Sequence, residues 1–348
     1  MTEKYPLSRR DFIKLAGAGT LGFVLAEMGL DGVLAQGTPP SSEGRIVYSG
    51  ISLYDQPSIN ARSLKVFNRD EVVPISEVVT GLDVGAYNPN WYRIGSDGYA
   101  YSGYVQPVET KYNRPVLDIV PTGRLAEVTV PYSDVYRIAD SRGDRGYRLY
   151  YSSVHWVTGI SMNREEKSIW YEIYDDLLQA SYFGRVQDFR IISPDELAPI
   201  SPDVPNDQKK ILIDLDSQTV AAYEGDNNVL TARCASGTKG TNTPLGTYYT
   251  YHKGPSIHMT DGDDKEPGNY DLPGVPWVTF FTGEGHSFHG TYWHNDYGSP
   301  RSHGCINLLP QEAKWIYLWT NPVVPPDTHY LHLPGQGTAI EIVKPAAV

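Results

Sequence analysis

From Arg45 onward the chain is written in short runs of β-forming residues punctuated by Gly, Pro, Asn and Asp, and that pattern confines it to small barrels and sandwiches. The first runs are Arg45-Ile46-Val47-Tyr48, Glu71-Val72-Val73-Pro74-Ile75, Glu77-Val78-Val79, Trp91-Tyr92-Arg93-Ile94 and Gly103-Tyr104-Val105. A second set is sharper: Lys210 to Leu215, Thr219 to Tyr223 after an Asp216-Ser217-Gln218 turn, Val229 to Ala235, Thr243 to Tyr249 with its turn, and a closing run from Gly335 to Val343. One helix is predicted, from Pro310 to Trp319, with Pro310 in the first turn and Gln311 and Glu312 at its positive end. Tyrosine use (26 Tyr against 8 Phe) fits a mainly β chain.

A length of 348 residues implies two or three domains, and 40% hydrophobic residues suffice for cores. A net charge of -12 excludes the basic footprint of a nucleic-acid binder. Punctuation divides the chain into a leader over 1–35, a linker over 36–43, a β domain over 44–110, a second over 115–200, a Pro-rich acidic linker over 193–208 and a last domain over 209–343. Ile169-Trp170-Tyr171-Glu172-Ile173 and Ala180 to Val186 echo Trp91 to Ile94 and Tyr101 to Val105, which points to a duplicated unit; RLYYSSVHWVTGI reads as an inserted hairpin in the second copy.

Ser8-Arg9-Arg10-Asp11-Phe12-Ile13-Lys14, followed by a Gly- and Ala-rich apolar run, resembles a twin-arginine export signal, with cleavage expected after Ala35. The run from Phe12 to Leu30 contains Lys14, Glu27 and several glycines, which makes it a poor membrane span, so membrane attachment is expected only if the signal stays uncut. This places the rest of the chain outside the cytoplasm. There, two cysteines, Cys234 and Cys305, permit one disulfide at most, and a lone thiol is either chemistry or a small buried residue. Cys234, inside a β run, reads as the latter.

Cys305 stands in His289-Gly-Thr-Tyr-Trp-His-Asn-Asp-Tyr-Gly-Ser-Pro-Arg-Ser-His-Gly-Cys-Ile-Asn-Leu308. His286, His289, His294, His303 and Cys305 are numerous enough for a metal, yet zinc sites favour CxxC pairs or a helix that aligns two imidazoles. Glycines at 285, 290, 298 and 304 and Pro300 forbid that helix, which leaves metal the lesser alternative. A nucleophile fits better. A thiol needs an imidazole to take its proton, His303 lies two positions before Cys305, and His289 lies sixteen before it, a spacing suited to neighbouring strands. A helix beginning just after Cys305 would add its positive end to a thiolate.

The pattern His289-Gly290, then residues 291–301, then Ser302-His303-Gly304-Cys305-Ile306-Asn307 resembles the signature of the L,D-transpeptidase catalytic domain family, and the resemblance runs from about Lys209 to Val343 through ILIDLDSQTVAAY, ASG, TPLG and GTAIEI. It implies a β-sandwich-like domain with a short helix after the cysteine, no cofactor and no metal. Cys305 is then the nucleophile, His289 the base oriented by the Gly290 carbonyl, and His303 a tuner of the thiolate. The Gly304 and Cys305 amides would form an oxyanion hole, Tyr270 would aim at the same oxygen, and Ser302 would hold the loop. Trp293, His294, Arg301 and Asn307 are weaker substrate-binding candidates; the simpler expectations are packing for Trp293 and His294, a solvated charge for Arg301 and backbone contacts for Asn307.

The implied reaction is acyl transfer in cell-wall biogenesis. A tetrapeptide stem of peptidoglycan loses D-Ala to form a thioester, which the amine of another stem resolves into a 3-3 cross-link that helps set cell shape. Carbapenem-type β-lactams are the implied covalent inhibitors. Alternatives are an L,D-carboxypeptidase acting on the same bond, attachment of a protein lysine to the stem, and a non-catalytic wall-binding protein. The runs LYDQPS, VVPISEVV and WYRIGSDGYAYSGYV over Gly44 to Val108 resemble the bacterial SH3-like family, which implies one or two small SH3-like barrels before the catalytic domain.

Overall fold

The computed structural model describes residues 41–261 and 269–344. The export segment, its cleavage point after Ala35 and most of the first linker lie outside these residues.

The first unit comprises β1 (Glu43–Ile46), β2 (Ile51–Tyr54), β3 (Ser63–Phe67), β4 (Val72–Thr80), β5 (Asn90–Ile94), β6 (Gly98–Tyr101) and β7 (Val105–Val108), in the order β3-β2-β6-β5-β4-β1-β7. Glu71 to Ile75 and Glu77 to Val79 are expected from the sequence as separate runs; they form one strand, β4. A register shift between Ile75 and Glu77 steps over Ser76, so Val73, Ile75 and Val78 all face the core despite their uneven spacing. Gly103 and Tyr104 belong to a 3-10 turn that precedes β7, not to a strand.

The second unit comprises β8 (Arg124–Val128), β9 (Tyr132–Tyr136), β10 (Arg145–Tyr150), β11 (Val154–Asn163), β12 (Ser168–Asp175), β13 (Ala180–Arg185) and β14 (Phe189–Ile191). Its order, β10-β9-β13-β12-β11-β8-β14, repeats the first strand for strand. The bulge recurs in β11, between Val157 and Gly159, and a 3-10 turn again precedes the last strand. RLYYSSVHWVTGI is therefore no inserted hairpin. Its halves lie in β10 and β11, which pair with different neighbours and correspond to β3 and β4.

In the third unit β15 (Lys209–Asp214), β16 (Thr219–Glu224), β17 (Asn227–Arg233), β18 (Gly246–Tyr249) and β24 (Ala339–Val343) form one sheet, ordered β17-β16-β15-β24-β18. The other contains β19 (His252–Thr260), β20 (Asp271–Phe280), β21 (Ser287–Gly290), β22 (Ile306–Leu308) and β23 (Leu331–His332), ordered β22-β21-β20-β19-β23. The helix α1 spans Pro310–Trp319, as its proline predicts. The molecule is thus mainly β. Ile211, Ile213 and Leu230 of one sheet meet Trp277, Phe288 and Ile306 of the other, with Ile316 and Trp319 of α1 in the same core.

That core also takes in Leu125, Val154 and Trp156 of the second unit, so the second and third units share buried apolar surface. A polar bridge joins them as well. Buried His258 contacts Asp175 through Nδ1 at 2.8 Å and Asp271 through Nε2. Burial opposes the imidazolium, but the two carboxylates outweigh it, and His258 titrates above its ordinary value. The bridge therefore contributes fully below about pH 6.5 and is lost as pH rises through the raised folded value. The urea midpoint is expected to fall along that rise, and His258→Asn to flatten the fall. A wild-type midpoint constant from about pH 6 to 9 would refute the bridge.

Candidate active site

Strands β21 and β22 run parallel, with Phe288 opposite Ile306, His289 opposite Asn307 and Gly290 opposite Leu308. Parallel neighbours need a long connection, which accounts for the length of chain between His289 and Cys305. Alternation sends Phe288, Ile306 and Leu308, all fully buried, into the core. Ser287, His289, Cys305 and Asn307 take the other face. Cys305 Sγ lies 3.5 Å from Ser287 Oγ and 3.7 Å from the Gly285 carbonyl. Because β22 follows Cys305 directly and α1 starts only at Pro310, the helix dipole does not reach the thiol as the sequence reading expects.

His289 is buried, and its Nδ1 lies 3.1 Å from the Gly290 carbonyl. That oxygen only accepts, so Nδ1 carries the proton and Nε2 is a bare acceptor. Burial drives the imidazole down to about 4, and the Gly290 bond offsets part of that. Burial also pushes the Cys305 thiol up, against the Ser287 hydroxyl and amide, which favour thiolate. At neutral pH the pair is thiol and neutral imidazole.

The turn before Cys305 is held by its neighbours. Ser302 Oγ donates to the Cys305 carbonyl at 2.6 Å and accepts from the Gly304 amide at 3.0 Å. The loop-holding role read for Ser302 has this geometry, and it occupies an amide the same reading assigned to the oxyanion hole. Ser236 accepts from the Arg301 and Ser302 amides, and Thr243 Oγ1 donates to the Gly304 carbonyl at 2.8 Å. The ASG and TPLG blocks are thus the clamp on the cysteine turn. Gly304 has φ +118, and a Cβ there would fall 2.5 Å from His286 Cδ2.

The other candidates are placed unequally. His303 is exposed, its ring 5.6 Å from that of Tyr270, and Tyr270 titrates high through burial and then the adjacent Cys305. Trp293 sets its ring 5.6 Å from that of His289. His294 is buried and neutral, pushed down to about 3 by burial. Its Nδ1 accepts the Asp296 amide at 3.1 Å, so its Nε2–H requires an acceptor, and the Asn307 side-chain amide lies 2.8 Å away. Asn307 thus contacts a side chain where backbone was expected, and its second amide atom has no partner among the described residues. Arg301 is not a solvated charge: it holds buried Asp296 at 2.6 Å and lies over the Tyr104 ring. Gly290 packs against Pro310, where a Cβ would come within 2.8 Å of Pro310 Cα. Among the described residues no cluster of three or more His, Cys, Asp or Glu stands ready for a metal.

Cys305, His289, Tyr270, Trp293, Arg301, Ser302, His303 and Asn307 line a groove of about 690 Å³ whose far wall belongs to the first two units, through Val47, Tyr48, Arg69, Arg145, Tyr147, Arg148 and Tyr150; His294 faces away from it into a separate pocket. The same units grip the connection between His289 and Cys305. Arg45, fully buried, donates to the Tyr292 carbonyl at 2.5 Å and to Gln106 and Asp70, and lies 4.2 Å from the Tyr150 ring centroid. Tyr150 in turn stacks on Tyr292 at 5.7 Å. Further along, Asn295 bonds Gly103, Tyr92 and Ser102, while Asp296 accepts from Tyr101 at 2.7 Å and Asn88 at 3.1 Å. Arg45→Ala is expected to lower stability by about 3 kcal/mol in urea titrations, because it removes a buried, fully bonded cation.

Residues 208–342 match YkuD, the L,D-transpeptidase catalytic domain. The YkuD match begins one residue before β15 and ends within β24, so it takes in both sheets of the third unit and the whole Cys305 turn. YciB of Bacillus subtilis (strain 168), which carries an L,D-transpeptidase name, is 30% identical over 125 residues. That similarity covers 32% of this chain and 61% of the relative's length. An L,D-transpeptidase from Mycobacterium smegmatis aligns at 24% identity over 39% of this chain and 58% of its own, with a TM-score of 0.33. LdtMt1 in complex with imipenem aligns at 14% identity over 68% of this chain and 100% of its own, also with a TM-score of 0.33.

Ser287, Tyr292, Asp296 and Arg45 are not among the site residues expected from the sequence. A serine two positions before a candidate base was a usable signal, since alternation puts both on one face. Arg45 carried none, for its contact with Tyr292 spans 247 positions.

Proposed function

We propose that the chain is an exported peptidoglycan L,D-transpeptidase with Cys305 as nucleophile and His289 as base. The observation that carries this is the parallel β21–β22 pair, which sets a neutral imidazole with a bare Nε2 and a free cysteine thiol on one groove face. In the proposed reaction Cys305 Sγ attacks the carbonyl between the third and fourth residues of a tetrapeptide stem as its proton passes to His289 Nε2. The tetrahedral oxyanion is met by the Cys305 amide and the Tyr270 hydroxyl, with the Gly304 amide joining only if Ser302 releases it. His289 then protonates the departing D-Ala amine, leaving a thioester. An amine from a second stem attacks that thioester, His289 takes its proton, and the thiol is restored with a 3-3 cross-link formed.

His303, exposed beside Tyr270, would tune the entrance. Trp293 and the free Asn307 amide atom would contact substrate, while His294 and Arg301 would hold the connection from behind. The first two units would act as SH3-like modules, and the twin-arginine leader, cut after Ala35, would deliver the chain to the periplasm or cell wall. Carbapenem-type β-lactams would acylate the same thiol.

The test is to incubate the purified chain with tetrapeptide-stem muropeptides and follow the products by mass spectrometry. Cross-linked 3-3 dimers are expected. Tripeptides alone would replace the reading with an L,D-carboxypeptidase; no turnover together with no carbapenem adduct would leave a wall-binding protein.

A further inference from the structure

On the groove wall built by the first two units, four guanidiniums share two carboxylates. Asp70 is approached by Arg45 and Arg148 at 3.0 Å and by Arg69 only at 3.9 Å. Asp134 is approached by Arg148 at 2.8 Å and by Arg145 at 3.5 Å. Arg45 is buried and saturated, and Arg148 is pinned between both aspartates. Arg69 and Arg145 differ. Their side chains are 52% and 54% exposed, their ion pairs are long, and both line the groove that contains Cys305. The groove's one lining carboxylate among the described residues, Asp271, is already taken by His258 and Tyr147. In a chain of net charge -12, this wall therefore carries two more cations than anions where a substrate would lie.

We infer that Arg69 and Arg145 form a carboxylate-binding subsite, which holds a peptide carboxylate of the substrate while its scissile carbonyl lies at Cys305. The inference rests on the acyl-transfer reading above and assigns the two accessory units a part in substrate selection. Guanidinium matches carboxylate geometry with paired N–H donors, and neither arginine must break a short internal bond to engage one. A tetrapeptide stem presents its C-terminal carboxylate and side-chain carboxylates, and all share this chemistry.

The experiment compares wild type with Arg69→Gln, Arg145→Gln and the double variant, on stems left free, amidated at the C-terminus, or amidated on the side chains. KM is expected to rise about fivefold in each single variant and about twentyfold in the double, as for partly exposed ion pairs, with kcat within about twofold. Amidating the carboxylate that is bound should raise wild-type KM equally and leave the double variant unmoved. An unchanged KM in the double variant, or an equal rise on stems with every carboxylate amidated, would overturn the subsite. Should wild type turn over no stem, the acyl-transfer reading fails by itself. The subsite is then judged by calorimetric titration of the free tetrapeptide into the Cys305→Ala chain: binding lost on adding both Gln substitutions supports it, and binding that is unchanged or absent throughout refutes it.

Discussion

Cys305→Ala is expected to abolish the covalent carbapenem adduct and to lower turnover of stems by at least about ten-thousandfold, since the proposed reaction forms its acyl bond on that thiol and the neighbouring Ser287 hydroxyl is a far weaker nucleophile. Cys234→Ala is the paired control. Cys234 is fully buried in the core between the two sheets of the third unit, and burial holds its thiol far above the ordinary range. Trimming it is expected to cost about 1 kcal/mol of stability and to leave the adduct intact. Intact-mass spectrometry after carbapenem treatment reads both at once. Equal behaviour of the two variants would remove the nucleophile assignment.

The second large effect belongs to His289. His289→Asn should lower kcat/KM about a thousandfold, the usual worth of a positioned general base. The shape of the pH profile separates this from mere structural damage. On the proposed reaction His289 acts as base in its neutral form, so activity should hold from neutral pH down to about 5 and fall as pH drops through about 4. The thiol, pushed above its ordinary value, should add a rise only in the alkaline range. The His289→Asn variant should lose the acid limb and keep the alkaline rise. An acid limb near the ordinary imidazole value of about 6.5 would mean that another histidine, His303 foremost, takes the proton.

The sequence announced what depends on near neighbours. The helix Pro310–Trp319 follows from its proline and from Gln311 and Glu312 at its positive end, and the opening hairpin of β15 and β16 from two β runs around a tight turn. Cys305 and His289 stood out as candidates because a thiol and an imidazole next to glycines are rare chemistry. Ionisation was harder to foresee. That the imidazole is neutral, and that the thiol is raised rather than aided by a helix, depends on burial, which spacing does not encode. The roles of Arg45, Tyr150 and Asp296 were invisible for a different reason: each acts across units, and no local pattern reports a partner hundreds of positions away. Ser76 shows the opposite failure, for one stepped-over residue made a single strand look like two.

The strand order of the third unit also dictates when reactivity can arise during synthesis. Strand β24 lies inside its sheet, parallel to β15 and flanked by β18, although it is made long after both. Until it inserts, the sheet that carries Ser236 and Thr243 stays split, and the turn presenting Cys305 lacks its support. The two earlier units, already emerged, offer Arg45, Tyr150 and Gly103 as a finished template for the connection. The finished Cys305 turn is therefore a late product of this chain, assembled only after the surfaces that discipline it.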